Sequence, residues 1–234
     1  MKNAFHFKQF TVYQDLAAMK VGTDGVLLGA WANFAKAKNV LDIGTGTGLI
    51  ALMATQKNTT AQIDAIEIDA QAYQQAKYNF GISPWQNRLQ AFHTSLQNYQ
   101  SIHKYDVIIS NPPYFDEDVQ AKGMSRQTAR NTQSLSLKDL LFYSSNLLQN
   151  KGKLFLVLPK NKEEKLISLA QKHHLYPQRI VDVKGTNISP IKRILVELSG
   201  CQSDYKRSEL IIEISRHNYT QDYINLTKDF YLKM

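Results

Sequence analysis

A single cysteine, Cys201, stands among the 234 residues, so no internal disulfide can form and a structural zinc site lacks its thiolates. A stapled secreted scaffold is thereby excluded, and a reducing cytoplasm is the expected compartment. Prolines number six, and no repeat, low-complexity tract or Pro/Gly-rich linker divides the chain. Long apolar runs are missing as well: none approaches the ~20 residues that a membrane-spanning helix needs. The opening Met1-Lys2-Asn3-Ala4-Phe5-His6-Phe7 lacks the apolar stretch of a secretory signal. What remains is ordinary globular composition, 43% apolar and 21% charged, long enough to bury a substantial core in one domain.

Acidic residues are scarce beside basic ones, 20 against 28, and the imbalance is local. Residues 1–119 carry 9 basic and 10 acidic side chains, whereas residues 120–234 carry 19 basic and 10 acidic ones. A basic half of this kind is either a solvated surface or a face that attracts a polyanion, whose phosphates release counterions on binding.

Strand-like and helix-like segments alternate. Asn39 to Ile43, Gln62 to Ile68, Leu89 to His93, Tyr105 to Ser110 and Lys153 to Leu158 read as strands; Leu49 to Gln56, Ala70 to Phe80, Ser136 to Leu148 and Lys162 to His173 read as helices. Right-handed crossovers between such strands predict an α/β fold, a mainly parallel sheet covered on both faces. Near the end, Gln178 to Val183, Arg193 to Ser199 and Glu209 to Ser215 have no long helix between them and are expected to pair antiparallel, before a last helix over Gln221 to Leu232. The stretch Asp116 to Ser134 is polar and aperiodic, longer than most connections in a compact domain.

Three motifs carry chemistry. Asp42-Ile43-Gly44-Thr45-Gly46-Thr47-Gly48 ends the first of these strands and opens a helix. Glycines there allow a sharp turn and the close approach of a ligand. The spacing departs from the dinucleotide fingerprint, and a carboxylate at Asp42 repels a pyrophosphate while suiting the ammonium end of S-adenosylmethionine. A tight turn with no ligand is the alternative for this loop alone. Glu67, at the end of the next strand, can accept both ribose hydroxyls of an adenosyl group; Asp69 suits a helix N-cap. Asn111-Pro112-Pro113-Tyr114 follows a buried strand directly. Its two prolines lack N–H donors, which leaves carbonyls as acceptors. The two hydrogens of a planar amino group can go to the Asn111 side-chain oxygen and the Pro112 carbonyl, with Tyr114 stacked behind the ring. As that nitrogen attacks a methyl group, positive charge builds on it, and the acceptors stabilise the change without a metal.

Glycine loop, acidic strand end and Asn-Pro-Pro-Tyr, in that order, resemble the class I S-adenosylmethionine-dependent methyltransferases that act on planar amino groups. The stretches Phe7-Lys8-Gln9-Phe10 and Met19 through Trp31, with Ser83-Pro84-Trp85 and the ending Asp229-Phe230-Tyr231-Leu232, are similar to the bacterial enzymes that methylate the adenosine beside the anticodon of valine tRNA. The likeness spans essentially the whole chain. It implies a Rossmann-like domain over residues 1–234, a seven-stranded sheet with an antiparallel C-terminal hairpin, and residues 1–38 packed on the cofactor site. It further implies cofactor contact at Thr23, Asp42, Gly44, Gly46 and Glu67, with Asn111, Pro112 and Tyr114 at the target adenine. Where many relatives have an acid after the third strand, this chain has Ser95, a weaker acceptor for the cofactor's amino group. The anticodon stem-loop of tRNA is the expected partner, with Lys122, Arg126, Arg130, Lys192 and Arg193 as candidate phosphate contacts beside Lys206 and Arg207. No metal and no membrane partner is expected, and the chain is expected to be a monomer.

Other readings remain open at this level. A glutamine methyltransferase acting on release factors uses the same tetrapeptide but carries a helical N-terminal domain, for which about forty residues are too few. A DNA adenine methyltransferase needs an added recognition domain. A non-catalytic RNA-binding protein has no use for acceptors poised at an amino group, and Asp42 and the glycine spacing disfavour a nicotinamide dehydrogenase.

Overall fold

The computed structural model describes residues 3–113 and 135–233. The central sheet has eight strands: β3 (Asn39–Ile43), β4 (Gln62–Glu67), β5 (Leu89–His93), β6 (Tyr105–Ser110), β7 (Leu148–Pro159), β8 (Tyr176–Lys184), β9 (Ile191–Ser199) and β10 (Lys206–Ile211). They lie in the order β10-β8-β9-β7-β6-β3-β4-β5. Every pair is parallel except the two made by β9, which runs antiparallel between β7 and β8. Alternate residues of each strand face opposite layers: in β6, Val107 and Ile109 enter one core and Ile108 the other. Burial on both sides explains why the central strands β3 and β6 and the second half of β7 read as apolar runs, unlike the edge strands β5 and β10.

Five helices reproduce the expected segments within a few residues, namely α2 (Leu49–Lys57), α3 (Ala70–Gly81), α4 (Leu137–Leu147), α5 (Glu163–Lys172) and α6 (Gln221–Thr227). The last is shorter than expected, ending at Thr227 rather than Leu232. Asp69 caps α3 by accepting the Ala72 N–H at 2.8 Å, and Ser136 caps α4 through Asp139.

The C-terminal strands need a correction. β8 and β9 form the expected antiparallel pair, but the third segment adds an eighth strand, β10, parallel to β8. Glu213 to Ser215 leaves the sheet as β11 (Glu213–Ser215) and pairs with β12 (Asn218–Tyr219) in a separate hairpin. Short exposed strands carry little periodicity from which to read their partner.

The first 38 residues are more structured than the sequence discloses. β1 (Ala4–His6) and β2 (Thr11–Tyr13) form a hairpin, and α1 (Thr23–Trp31) follows. Two glycines and an almost wholly apolar face conceal α1 from periodicity. The structure supplies the reason for one of them: a Cβ at Gly29 would lie 2.7 Å from Met53 Sδ and 3.2 Å from its Cβ, so a larger residue would have to displace the buried Met53 side chain. Lys57 then closes the helix, its ammonium donating to the carbonyls of Ala30 and Ala32.

Candidate active site

The ends of β3, β4 and β6 lie side by side because the strands are parallel neighbours. Cross-links hold them there: the Gly44 N–H donates to Ile66 O at 2.9 Å, and the Ser110 hydroxyl to Ile43 O at 2.8 Å. Open α/β sheets bind ligands outside such ends. A cavity of about 270 Å³ opens at this place, bordered by Thr23, Asp24 and Gly25 from α1, by Gly44 to Thr47, and by Asn111 and Arg193.

The glycine loop is shaped to receive something. Gly44 and Gly46 adopt φ of +69° and +57°, and a Cβ at either would meet no atom within 4 Å. A side chain there would stand in the cavity, so these two glycines keep it open. Gly48 is different: it starts α2 in the left-handed region, with Phe80 only 2.5 Å from where a Cβ would be.

Two carboxylates support the loop from beneath. Glu67 accepts the Gly46 N–H at 2.9 Å through one oxygen and the N–H groups of Ile68 and Asp69 at 2.9 and 3.0 Å through the other. Asp42 is 1% exposed; its Oδ2 accepts the Thr45 hydroxyl at 2.6 Å, while Oδ1 has no partner of ordinary hydrogen-bond geometry among the described residues. Burial pushes the Asp42 carboxyl up to about 7, against the smaller pull of the Thr45 hydroxyl and the Ala51 backbone. An under-satisfied buried carboxylate beneath an open loop is suited to a cationic ligand group above it.

The structure therefore brings Thr23, Gly44, Gly46, Asn111 and Arg193 to one cavity and sets Asp42 and Glu67 behind its floor. Pro112 is buried next to Asn111. Ser95 does not line this cavity; its hydroxyl caps a short turn by accepting the Asn98 N–H at 3.3 Å. Lys192 is exposed, whereas Arg193 is ion-paired with Asp24 and thus partly neutralised. Arg207, expected among the phosphate contacts, binds Glu163 and Asp182 instead. Tyr114, Lys122, Arg126 and Arg130 lie outside the described residues. Among the described residues no cluster of acidic, histidine or cysteine side chains could hold a metal ion.

Sequence reasoning missed Asn79 and Gln75. Fully buried Asn79 on α3 donates to the carbonyls of Tyr13 and Thr47, both at 2.8 Å, and accepts the Tyr13 N–H at 3.0 Å. Gln75, one turn before it, accepts the Leu16 N–H at 2.9 Å. Together they tie the N-terminal segment to α3, and Asn79 also holds the glycine loop. Two amides spaced i, i+4 on a helix were the available signal, since buried side chains of this kind need partners.

The strand order and the open glycine loop beside Asn111 define a methyltransferase of the class I fold, and the Methyltransferase small domain family matches residues 21–176. Solved structures agree on the fold: a predicted O-methyltransferase of Agrobacterium tumefaciens has a TM-score of 0.69 at 16% identity, over 88% of this chain and 96% of that one. A ribosomal protein methylase of Lactobacillus delbrueckii subsp. bulgaricus gives 0.58 at 16% identity, over 80% and 83%. The chain is 48% identical to the tRNA1(Val) (adenine(37)-N6)-methyltransferase of Parabacteroides distasonis over 98% of both chains. It is 42% identical to the enzyme of that name from Aliivibrio salmonicida over the whole of both. It belongs to the tRNA1(Val) (adenine(37)-N6)-methyltransferase family.

Proposed function

We propose that this protein transfers a methyl group from S-adenosylmethionine to N6 of adenosine 37 in tRNA1(Val). The supporting observation is the single cavity that joins Asn111 to an open glycine loop and to the start of α1, in a chain whose full-length relatives bear that name. When bound, S-adenosylmethionine supplies an electrophilic methyl group on a sulfonium. Gly44 and Gly46 give its methionine end room, Thr23 and Asp24 border that end, and Asp42 compensates its ammonium from below. Glu67 accepts from the ribose hydroxyls.

Asn111 and the Pro112 carbonyl accept the two hydrogens of the target amino group and turn its lone pair toward the methyl. They act most strongly as positive charge grows on that nitrogen, which lowers the barrier rather than merely binding the base. The surplus proton then leaves to solvent. Tyr114 stacks on the base, and Lys192 with Lys122, Arg126 and Arg130 meets the RNA phosphates. Residues 1–234 work as one monomeric domain with the first 38 packed on the cofactor site.

Incubation of purified protein with unmodified tRNA1(Val) transcript and labelled S-adenosylmethionine, followed by nucleoside mass mapping, tests the reading. N6-methyladenosine at position 37 is expected. Methylation of a release-factor glutamine with no label in tRNA overturns it.

A further inference from the structure

A second cavity, about 500 Å³, adjoins the first, and Thr23 lines both. It opens at the same edge of the sheet, where the connections after β8 and β10 begin at Gly185 and Ile212. Four aromatic side chains line it, Phe5 from β1, Tyr219 from β12, Tyr223 from α6 and Tyr231 near the C-terminus, and Lys233 adds an ammonium. Tyr219 and Tyr223 stand 5.2 Å apart between ring centroids at 35°, and Phe5 and Tyr231 6.1 Å apart. Tyr223 is 3% exposed and forms the floor, whereas Tyr219 and Tyr231 are half-buried and keep ring surface available. Glu213 adds a carboxylate to the wall.

We infer that this aromatic cavity receives the base of a nucleotide adjacent to the target adenosine. The inference rests on the RNA reading above. A space of this size takes a nucleobase readily, and aromatic rings bind any base face by stacking. Thr23 lines both cavities, and the first also holds Asn111, so the second lies next to the pocket that takes the target base, where the neighbouring base of the same strand must also pass. Unpaired loop bases are recognised by such stacking together with hydrogen bonds to their edges. Glu213, an acceptor without a donor hydrogen, favours a base whose edge bears an amino group. Holding a neighbouring base would also keep the strand open while the adenine sits in the catalytic pocket.

Steady-state methylation of an anticodon stem-loop, with the base on either side of the target removed in turn, tests this. Tyr219→Ala is expected to raise the KM for the stem-loop about ten-fold, the scale of losing one stacked base. Its kcat and its affinity for S-adenosylmethionine stay within two-fold of wild type, and Tyr219→Phe restores the KM. One abasic substrate should raise the wild-type KM comparably and cause no further loss in Tyr219→Ala. At that position the wild type should favour an amino-bearing base over uracil several-fold, and Glu213→Gln should diminish this preference; that comparison decides the matter if Tyr219→Ala melts at assay temperature. Unchanged KM in Tyr219→Ala, or penalties that multiply with both abasic substrates, overturns the inference while leaving tRNA methylation standing. A wild-type protein that methylates neither the stem-loop nor full-length tRNA1(Val) overturns both, and one active on the full tRNA alone is read with the same abasic sites placed in that tRNA.

Discussion

Replacing Glu67 with Gln changes one atom that the site uses twice. The carboxylate accepts three backbone N–H groups, and one of these belongs to Gly46 in the loop that keeps the cavity open. A glutamine that retains its oxygen on Ile68 and Asp69 must turn its NH2 toward the Gly46 N–H, so that two donors face each other. Hydrogen bonds to a charged acceptor contribute about 1.5–3 kcal/mol, and the variant forfeits one from the loop and, with cofactor bound, the charged acceptor for a ribose hydroxyl. Glu67→Gln should therefore weaken S-adenosylmethionine binding by about 1–3 kcal/mol, roughly 5- to 150-fold in Kd. Isothermal titration with S-adenosylmethionine and its demethylated product reads the affinity, and a thermal melt of the free protein reads the loop term separately. A lowered melting temperature with Kd within two-fold of wild type would show Glu67 to be a clamp on the loop and nothing more. No change in either quantity refutes the hydrogen-bond reasoning itself.

Asn111→Ala should lower single-turnover methyl transfer by on the order of a hundredfold or more while S-adenosylmethionine affinity stays nearly intact, because the lost contact matters most in the transition state; wild-type turnover ends the assignment. Arg207 binds both Glu163 and Asp182 and holds their carboxyls below the usual range, so this network stabilises the fold at neutral pH and fades as pH falls through those lowered values. Arg207→Met should cost about 1–3 kcal/mol by urea titration at pH 7 and flatten the acid limb, with tRNA affinity unchanged; a variant as stable as wild type contradicts the network's role. Asp42 has the opposite sign: with its folded value raised to about 7 from 3.8, the folded state holds more protons than the unfolded one between those limits, and stability falls as pH rises across them. Asp42→Asn should remove much of that slope in melts from pH 5 to 8, and an unaltered slope would place the proton elsewhere.

The central sheet was legible because parallel strands buried on both faces must be apolar throughout, and the segments around Val40, Ile66, Ile108 and Leu156 are. The glycine loop and Asn111 were legible for a second reason: they sit immediately after strands, so sequence adjacency already places them at the sheet's carboxyl edge. The N-terminal segment offered neither cue. Its hairpin strands have three residues each; α1 is held by packing on Met53 of α2, and the stretch before it by Asn79 and Gln75 of α3, which lie 66 and 59 residues from their partners Tyr13 and Leu16. Such tertiary override is what propensity and periodicity cannot see.

Charge is where sequence and structure part most. The excess of basic residues in the second half looks like one resource, yet its members have distinct employments. Lys153 and Arg179 both pair with Glu197, which is 1% exposed, and Arg179 also lies 4.5 Å over the Trp31 ring. Lys160 and Arg207 serve Glu163 and Asp182, Lys184 pairs with Glu209, and Arg193 meets Asp24 at the mouth of the cavity. Each of these ion pairs fastens an element of the C-terminal sheet and removes a cation from the surface field. Lys192, exposed and next in sequence to Arg193, is the described cation proposed above to meet an RNA phosphate. If counterion release governs tRNA binding, its salt dependence should reflect far fewer contacts than the 19 basic residues of that half. Lys192→Glu should lessen that dependence by about one contact in binding titrations across a salt series, whereas Lys153→Gln should leave it unaltered. Equal effects of the two substitutions would mean that the whole basic half acts as a diffuse field, and that the ion pairs do not sort its cations.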